Sequence, residues 1–565
     1  MKRLFLTITA LLMFVATMSA GGKLTLPDIT SGKFAAKTVN GINPIEGTDT
    51  YARISQDGER VVCCSFKTGK ELSVLFDVKN TMGCKIDGFD DYVLSPDGKR
   101  MLIQTKTERI YRRSFKADFY IYNIESRRLD RLSDGDKQQI PTWSPDGQQV
   151  AFVRGGNIFL VKLLYDNAEI QVTKDGKFNE VINGLPDWVN EEEFGFNSAL
   201  TFNADGTMIC WIRYDESKVK TYSLEMYKGM KPAKEEYDTY PGFYSYKYPK
   251  AGEDNSTVSA WSYDIKSHKI NRLQVPLDAD GYMPRIKPTN DPMRIVVYTM
   301  NRHQDDLCLY AVNPRSTVAQ LIIKEHVDKY VREEAMEGVK FVGDKILLPS
   351  DRSGYTKLYI YNMNGQLQRT IGDGNYDITS VYGYDPKTGD VYYQAAALGA
   401  TDRQVYVTHK NGKTVRLTDR EGWNTAFFSG DFQYFVNTWS DYNTPYVFTT
   451  RTREGKLINT IEDNKAVKQL VSDYGFCKRE PFSFTTSEGV VLNGWMVKPK
   501  DFDANKKYPV IMHQYSGPGS QQVTNSWSAG SMGQGGAFDS YLAQEGFIVV
   551  SVDGRGTGGR EVHIS

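Results

Sequence analysis

The chain has 565 residues, and its 69 basic residues balance its 69 acidic residues, so the formal net charge is zero. This balance gives no support for nucleic-acid binding, which needs a basic surface. The length is too great for one ordinary core, so at least two domains are expected. Tyrosine (35 residues) and phenylalanine (27 residues) are abundant, and apolar residues seldom recur at helical spacing, which favours β structure.

The first 20 residues predict a signal peptide. Lys2 and Arg3 provide a positively charged start, residues 4–18 are apolar apart from their threonines, and the small residues Ser19 and Ala20 suit a cleavage site. An apolar stretch of this length is typical of a secretory signal and is short for a membrane span. We therefore expect an exported protein, periplasmic or secreted, with no integral membrane domain beyond the signal segment. An uncleaved N-terminal anchor is the alternative.

The cysteines are sparse, and their spacing matches no metal-binding pattern. No cofactor and no metal is predicted. Export permits disulfides, and a bridge from Cys84 to Cys63 or Cys64 is one alternative. We favour buried free thiols, because Cys63 and Cys64 are adjacent in an apolar, strand-like run. The six cysteines are Cys63, Cys64, Cys84, Cys210, Cys308 and Cys477.

A turn rich in Pro, Asp and Gly recurs along the chain, and a short apolar strand follows each copy. The copies are residues 55–58, 95–98, 144–147 and 203–206. Their aspartates are 40, 49 and 59 residues apart, which is the spacing of β-propeller blades with loops of varying length. We therefore predict a mainly β fold in which residues 51–475 form a propeller, with eight blades favoured over seven, after an N-terminal segment at residues 21–50.

Two insertions interrupt the regular spacing of these turns and strands. Residues 214–248 are charged and rich in tyrosine, and they are too long for a hairpin loop, so we predict an arm that contacts a partner. Residues 187–193 end in three consecutive glutamates, whose charges repel and cost free energy if they leave water unpaired. The ordinary interpretation of this acidic stretch is a solvated turn. The alternative is that two of the carboxylates point into a cavity and hold a cation.

The character of the sequence changes near residue 476. Residues 490–497 and 506–515 contain apolar strands, residues 538–546 predict a helix that ends at a glycine, and residues 547–553 predict another apolar strand. Strand, helix and strand form the βαβ unit of a parallel sheet. Residues 476–565 are therefore predicted to begin a second domain, of the α/β class.

Four segments resemble, in order, motifs of the dipeptidyl peptidase IV branch of the prolyl oligopeptidase family. Residues 187–193 (DWVNEEE) are similar to its double-glutamate motif, and residues 248–255 (YPKAGEDN) are similar to a second family segment. Residues 515–521 (YSGPGSQ) resemble the loop at the oxyanion site, and residues 553–558 (DGRGTG) resemble a segment shortly upstream of the nucleophile. The resemblance implies a β-propeller followed by the beginning of an α/β-hydrolase domain.

The resemblance also implies a serine dipeptidyl peptidase that releases X-Pro or X-Ala dipeptides from peptides with a free N-terminus, and a homodimer in the complete enzyme. Glu192 and Glu193 would bind the N-terminal ammonium, which relieves the repulsion between two carboxylates in a partly dry cavity. Arg112 matches the arginine that holds the carbonyl between the first two residues, with Arg113 as the alternative. Tyr515 matches the catalytic tyrosine whose hydroxyl helps to stabilise the oxyanion.

The chain departs from the family in two respects. Asn190 stands where the family has an aromatic residue, which affects packing beside the glutamates. No G-x-S-x-G motif, which would carry the nucleophilic serine, occurs in the sequence, and none of the histidines has the location expected for a Ser/Asp/His triad. We therefore interpret the chain as C-terminally truncated, and we expect it to lack peptidase activity as it stands.

Two alternative functions remain open at this point. A non-catalytic propeller remnant or peptide-binding scaffold is the main alternative, and the missing triad favours it for the chain as it stands. An oligopeptidase or acylaminoacyl peptidase is a further alternative. The double glutamate argues against both of these peptidases, because neither needs an anchor for a free ammonium group.

Overall fold

The structure is a computed structural model that describes residues 22–39, 41–229, 239–515, 517, 519–528 and 530–559. The signal peptide predicted at residues 1–20 lies outside the described residues, as do residues 230–238 of the tyrosine-rich insertion and residues 560–565. In the described part of the chain, no helix is long and apolar enough to cross a membrane.

Eight sheets of four or five strands follow one another between residues 43 and 462 of the described chain, and all but one of their strand pairs are antiparallel. The predictions of a mainly β fold and of eight blades are therefore confirmed. Blade one consists of β1 (Asn43–Pro44), β2 (Thr50–Ile54), β3 (Arg60–Ser65) and β4 (Glu71–Asp77). Blade two consists of β5 (Met82–Gly83), β6 (Asp91–Leu94), β7 (Arg100–Arg109), β8 (Phe115–Asn123) and β9 (Arg128–Arg131). Blade three consists of β10 (Gln139–Trp143), β11 (Gln149–Arg154), β12 (Asn157–Lys162) and β13 (Ala168–Gln171).

Blade four is the one that carries the arm. Its strands are β14 (Val181–Asn183), β15 (Leu200–Phe202), β16 (Met208–Asp215), β19 (Thr257–Asp264) and β20 (Ile270–Arg272). Between β16 and β19 the chain leaves the blade as a separate two-stranded hairpin, formed by β17 (Thr221–Met226) and β18 (Gly242–Lys247). The tyrosine-rich insertion therefore forms an arm, as predicted.

The remaining four blades are regular four-stranded meanders. Blade five consists of β21 (Tyr282–Pro288), β22 (Ile295–Met300), β23 (Asp306–Val312) and β24 (Ala319–His326). Blade six consists of β25 (Lys340–Val342), β26 (Lys345–Ser350), β27 (Lys357–Asn362) and β28 (Leu367–Ile371). Blade seven consists of β29 (Ile378–Asp385), β30 (Asp390–Ala395), β31 (Gln404–Thr408) and β32 (Thr414–Arg416). Blade eight consists of β33 (Trp423–Phe428), β34 (Tyr434–Asp441), β35 (Thr444–Thr452) and β36 (Leu457–Glu462).

The recurring turns owe their shape to three of their side chains. In the second copy, Ser95 Oγ donates to Asp97 Oδ1 and accepts from the Arg100 backbone N–H at 2.9 Å. Asp97 Oδ1 also accepts from the Lys99 backbone N–H at 3.1 Å. Gly98 has a φ of 68°, a left-handed conformation that glycine adopts without steric cost. The turn is thus fixed locally, which is why its sequence signature predicts the strand that follows.

A hydrophobic cluster closes the ring between blade eight and blade one. Tyr51 and Phe66 of blade one pack with Val436 of blade eight, and all three side chains are fully buried. Thr450 Oγ1 adds a hydrogen bond to the Lys67 carbonyl oxygen at 3.1 Å. The last blade therefore packs on the first, as a closed propeller requires.

The C-terminal sheet contains the predicted βαβ unit. Its strands are β37 (Arg479–Thr485), β38 (Val491–Val497), β39 (Val510–Met512) and β40 (Ile548–Val552), in the spatial order β37-β38-β40-β39. Strands β39 and β40 are parallel, with Val510 opposite Ile548, and a helix at residues 537–544 lies between them in the chain. Trp495, Val497 and Val549 form the centre of this small core.

The helices are few and short. The described α-helices are α1 (Leu26–Thr30), α2 (Trp188–Phe194), α3 (Glu333–Glu337), α4 (Lys465–Asp473) and α5 (Ala537–Gln544), the last being the crossover helix of the βαβ unit. Helices α2 and α3 project from propeller connections, and both border the site described below. All six cysteines are free thiols.

Candidate functional site

The acidic stretch forms helix α2 and not a solvated turn. Asp187 caps its N-terminus, because Asp187 Oδ1 accepts a hydrogen bond from the Asn190 backbone N–H at 2.9 Å. Asn190 Nδ2 donates to the same oxygen at 2.8 Å, and Ser256 Oγ donates to the other. Asn190, which departs from the family pattern, is therefore part of the cap. The Trp188 ring stacks on Tyr248, with ring centroids 4.3 Å apart, so the second family-like segment packs against the first.

The three glutamates of α2 face different environments, because successive helical residues point in different directions. Glu191 is only 1% exposed, whereas Glu192 is half-buried and Glu193 is exposed. Glu191 Oε1 accepts hydrogen bonds from the backbone N–H groups of Arg113 at 2.7 Å and Ser114 at 2.8 Å. Glu191 therefore positions the loop between β7 and β8. No role for Glu191 was predicted from the sequence, although helical periodicity predicts that one of three adjacent glutamates faces inwards.

Arg112, at the tip of that loop, binds Glu192. Arg112 Nε lies 2.9 Å from each carboxylate oxygen of Glu192, and Nη2 lies 2.7 Å from Oε1. The hydrogen bonds and charge of Glu192 raise the pKa of Arg112, and Tyr515 adds to the effect. The structure thus brings together two residues, Arg112 and Glu192, that lie 80 positions apart in the chain.

Arg113 takes a different direction from Arg112. Its Nη1 donates to the Glu191 carbonyl oxygen at 3.4 Å, and its Nη2 lies 3.8 Å from Glu333 Oε1 on helix α3. Burial raises the pKa of Glu333, and the charge of Arg113 opposes this shift. Of the two candidate arginines, Arg112 is therefore the one that pairs with Glu192.

Tyr515 follows strand β39, and its side chain is 66% exposed. The loop that carries Tyr515 is tied to the DGRGTG segment, since the Gly519 N–H donates to the Gly556 carbonyl oxygen at 2.9 Å. Ser516 and Pro518 of this loop lie outside the described residues.

A cavity of about 670 Å³ separates the propeller from the C-terminal sheet. Glu333 and the other glutamates of α3 line its propeller side, and Gly519 and Gln521 line the opposite side. The buried Arg403 joins the two sides, because its Nη2 donates to Gln521 Oε1 at 2.7 Å, and burial lowers the pKa of Arg403 to about 10. The volume lies within the range of about 300–1,000 Å³ that is usual for ligand sites. The cavity is large enough for a short peptide segment.

The described residues contain no hydrogen-bonded pair of serine and histidine side chains. His268, His326 and His409 contact Tyr263, Asp306 and Asp390, respectively. His513 lies at the end of β39, and its Nδ1 is buried without a hydrogen-bond partner among the described residues. The described residues therefore contain no serine that a histidine side chain activates by a direct hydrogen bond.

One group of described residues has the spacing of metal ligands. Asp305, Asp306 and His326 meet at the surface of blade five. Lys324 Nζ lies 3.2 Å from Asp306 Oδ2, so a positive charge already neutralises one carboxylate of this group. These residues lie in the propeller rim and not beside Arg112 and Glu192.

A family model and a solved structure each match more than half of the chain. Residues 95–446 match the family described as "Dipeptidyl peptidase IV (DPP IV) N-terminal region". The crystal structure of Porphyromonas gingivalis dipeptidyl peptidase 4 is similar, with a TM-score of 0.91 and 37% sequence identity, and the similarity covers 96% of this chain and 75% of that chain.

Two curated fungal relatives match over most of this chain. Dipeptidyl peptidase 4 of Trichophyton equinum is 28% identical over 498 residues, which are 83% of this chain and 61% of that protein. The Aspergillus flavus protein named "Probable dipeptidyl peptidase 4" is 29% identical over 496 residues, which are 83% of this chain and 62% of that protein. The chain thus spans less than two thirds of the length of these relatives. Because the family match extends over well more than half of its residues, the chain belongs to the dipeptidyl peptidase IV family.

Proposed function

We propose that this protein is an exported serine-type dipeptidyl peptidase that releases X-Pro or X-Ala dipeptides from the N-termini of peptides. The observation that carries the proposal is the ion pair of Arg112 and Glu192 beside the exposed Glu193. In this account the C-terminal sheet begins an α/β-hydrolase domain, and the cavity between it and the propeller receives the peptide.

The chemistry of the anchor favours a free amine. Glu193 forms no ion pair with any described residue, and Glu192 shares its charge with Arg112. An N-terminal ammonium has three N–H donors, and it makes strong charge-assisted hydrogen bonds with two carboxylates. Arg112 uses Nε and Nη2 for Glu192, so Nη1 is available to donate to the first peptide carbonyl. An acetylated N-terminus has no charge and has fewer donors, and we expect it to bind weakly.

Tyr515 is the proposed catalytic residue that acts on a peptide bound at Glu192 and Glu193. A phenol O–H beside the scissile carbonyl stabilises the negative charge that develops on its oxygen. In this proposal the ammonium is held at Glu192 and Glu193, only the first two residues of the peptide extend as far as Tyr515, and a dipeptide is released. Acyl transfer through a seryl intermediate needs a serine and a histidine base, and the G-x-S-x-G motif is missing from this sequence. The 565-residue polypeptide is therefore expected to bind peptides without cleaving them.

The arm is the proposed contact surface for a homodimer of the complete enzyme. Leu224, Tyr240 and Phe243 of the hairpin expose 40%, 79% and 61% of their surface, respectively. Neighbouring exposed apolar side chains mark a surface that another protein covers. Export is proposed from the signal-like first 20 residues.

The test is turnover of Ala-Pro-p-nitroanilide. The 565-residue polypeptide should release no nitroaniline, because its sequence contains no G-x-S-x-G motif, and release would contradict this expectation. If the reading frame continues past codon 565 with an in-frame G-W-S-x-G, the extended polypeptide should release nitroaniline. A stop codon directly after codon 565 would instead favour the second candidate, a non-catalytic peptide-binding propeller, which the missing nucleophile motif supports.

A further inference from the structure

A second cavity lies behind the peptide anchor. It has a volume of about 210 Å³, the share of roughly seven water molecules at liquid density. Its walls come from the β7–β8 loop, the start of blade four, the N-terminal turn of α2 and arm strand β18. None of the residues that line the cavity between the propeller and the C-terminal sheet lines this one. Tyr111 and Glu191 line it, so the loop and the helix that carry Arg112 and Glu192 separate it from the anchor.

Glu216 places a carboxyl group in this cavity. The residue follows strand β16 and is only 5% exposed. The backbone of Asn179 lowers the pKa of this carboxyl, and no described side chain donates a hydrogen bond to it. The other carboxylates of the wall are already engaged, because Asp187 binds Asn190 and Ser256, and Glu191 binds the β7–β8 loop. Glu216 is therefore the wall carboxylate with capacity for a ligand.

The two lysines of the cavity wall do not satisfy Glu216 by hydrogen bonding. Lys247 Nζ donates to the carbonyl oxygens of Ser217 at 3.3 Å and Val219 at 2.7 Å. Lys177 pairs with Glu180 outside the cavity. Burial, together with the charge of Asp187, raises the pKa of Glu216 to about 7. The positive charge of Lys247 opposes this shift, but Lys247 donates no hydrogen bond to Glu216. A buried carboxylate that no side chain hydrogen-bonds is stabilised when a cation binds beside it.

Aromatic side chains form much of the remaining wall. Tyr111, Trp188, Tyr244 and Phe178 line the cavity. The Trp188 ring is held by Tyr248 at 4.3 Å and by Tyr246 at 5.7 Å between centroids, so it is fixed before a ligand arrives. Faces of aromatic rings attract cations, and sites for quaternary ammonium ligands combine such rings with a carboxylate.

We propose that this cavity binds a small organic cation, an alkylammonium or quaternary ammonium compound, with its charged nitrogen at Glu216 and its apolar substituents against the rings of Tyr111, Trp188 and Tyr244. The site does not depend on the proposed peptidase function. A metal ion is a poorer occupant, because the rings provide no lone-pair ligands. The limited volume excludes drug-sized molecules, which occupy clefts of about 300–1,000 Å³.

The experiment is calorimetric titration of the 565-residue chain with choline. Its neutral analogue 3,3-dimethylbutan-1-ol, which has the same shape, is the control ligand. We expect saturable binding of choline, and we expect binding of the alcohol to be at least about tenfold weaker, because one charge–charge contact is worth that factor or more. Glu216→Gln should weaken choline binding by a similar factor. Glu180→Gln, which changes an exposed carboxylate next to the cavity, is the matched control and should leave binding unchanged.

Three results would overturn the proposal. They are no choline binding by the wild-type chain, equal binding of choline and the alcohol, and loss of binding on Glu192→Gln without loss on Glu216→Gln. The last result would place choline at the peptide anchor. If Glu216→Gln does not fold, as judged by circular dichroism, Tyr244→Leu tests the site instead. This substitution keeps the cavity wall apolar but removes an aromatic ring. Tyr244→Leu must weaken choline binding, and unchanged binding would contradict the site.

Discussion

Arg112 binds Glu192 through two nitrogen atoms, with Nε 2.9 Å from both carboxylate oxygens and Nη2 2.7 Å from one of them. The neighbouring Glu191 binds the backbone of the same loop through the N–H groups of Arg113 and Ser114. Two adjacent glutamates of helix α2 therefore have separate tasks: Glu191 positions the loop, and Glu192 orients the guanidinium.

Arg112→Lys should weaken the binding of a free-amine tripeptide such as Ala-Pro-Ala by about tenfold. A lysine lacks the planar fork of donors that lets arginine bind a carboxylate and a second acceptor at once. Calorimetry measures the change. Arg113→Lys is the matched control and should change the affinity much less, because Arg113 contacts the Glu191 carbonyl and Glu333. Equal losses in the two variants would show that Arg112 has no special role.

Glu191→Ala should lower the free energy of unfolding by about 2–4 kcal/mol, because it leaves two backbone N–H groups without an acceptor in a buried place. Glu193→Ala, two residues further along the helix on its exposed face, should lower the free energy of unfolding by less than about 0.5 kcal/mol. Urea denaturation measures both. A similar cost for the two substitutions would contradict the positioning role of Glu191.

The stability of the chain should depend on pH through Glu216. Because burial raises the pKa of this carboxyl from 4.5 to about 7, the folded chain binds more protons than the unfolded chain between these pH values. The free energy of unfolding therefore falls as the pH rises through this range, by up to about 3 kcal/mol. Glu216→Gln has no titrating group here, so its melting temperature should rise relative to wild type between about pH 5 and pH 8. If the melting temperatures of the two proteins change with pH in the same way, Glu216 is not the cause of the pH dependence.

In the C-terminal sheet, Arg479 and Asp539 form a buried ion pair at 3.4 Å. Burial lowers the pKa of Arg479 and raises that of Asp539 to about 6. Asp539→Ala should destabilise this region by about 3–5 kcal/mol, because it removes the carboxylate that contacts the buried Arg479 guanidinium. Trp495, whose ring lies 4.2 Å from the Arg479 guanidinium carbon, reports local unfolding by fluorescence. The double variant Arg479→Met with Asp539→Leu should be more stable than Asp539→Ala, and the reverse order would refute this explanation.

The propeller was predictable from the sequence because its turns are local. Ser95, Asp97 and Gly98 fix a turn with their own side chains and backbone, and repetition of that turn reveals the blades. The βαβ unit was predictable for the same reason, since strand, helix and glycine stop lie within a few dozen residues. An arm was predictable from the length of the insertion, whereas its two-stranded hairpin was not predicted.

Fewer features of the candidate site could be predicted from the sequence. The family resemblance alone assigned Arg112 and Glu192 to one substrate site, because no local pattern relates residues that lie 80 positions apart, and their direct ion pair emerged only from the structure. The burial of Glu191 and Glu216 depends on which loops pack above them, so their roles emerged only from the fold. The acidic stretch itself was ambiguous, since a capped helix and a solvated turn share the same charge pattern.

The central claim is that Glu192 and Glu193 recognise the free N-terminus of a peptide. The most direct measurement compares the affinities of the 565-residue chain for Ala-Pro-Ala and for its N-acetyl derivative by calorimetry. We expect the free peptide to bind at least about tenfold more tightly, and we expect Glu192→Gln or Glu193→Gln to remove most of this difference. Equal affinities for the two peptides, or a difference that survives both substitutions, would contradict the claim.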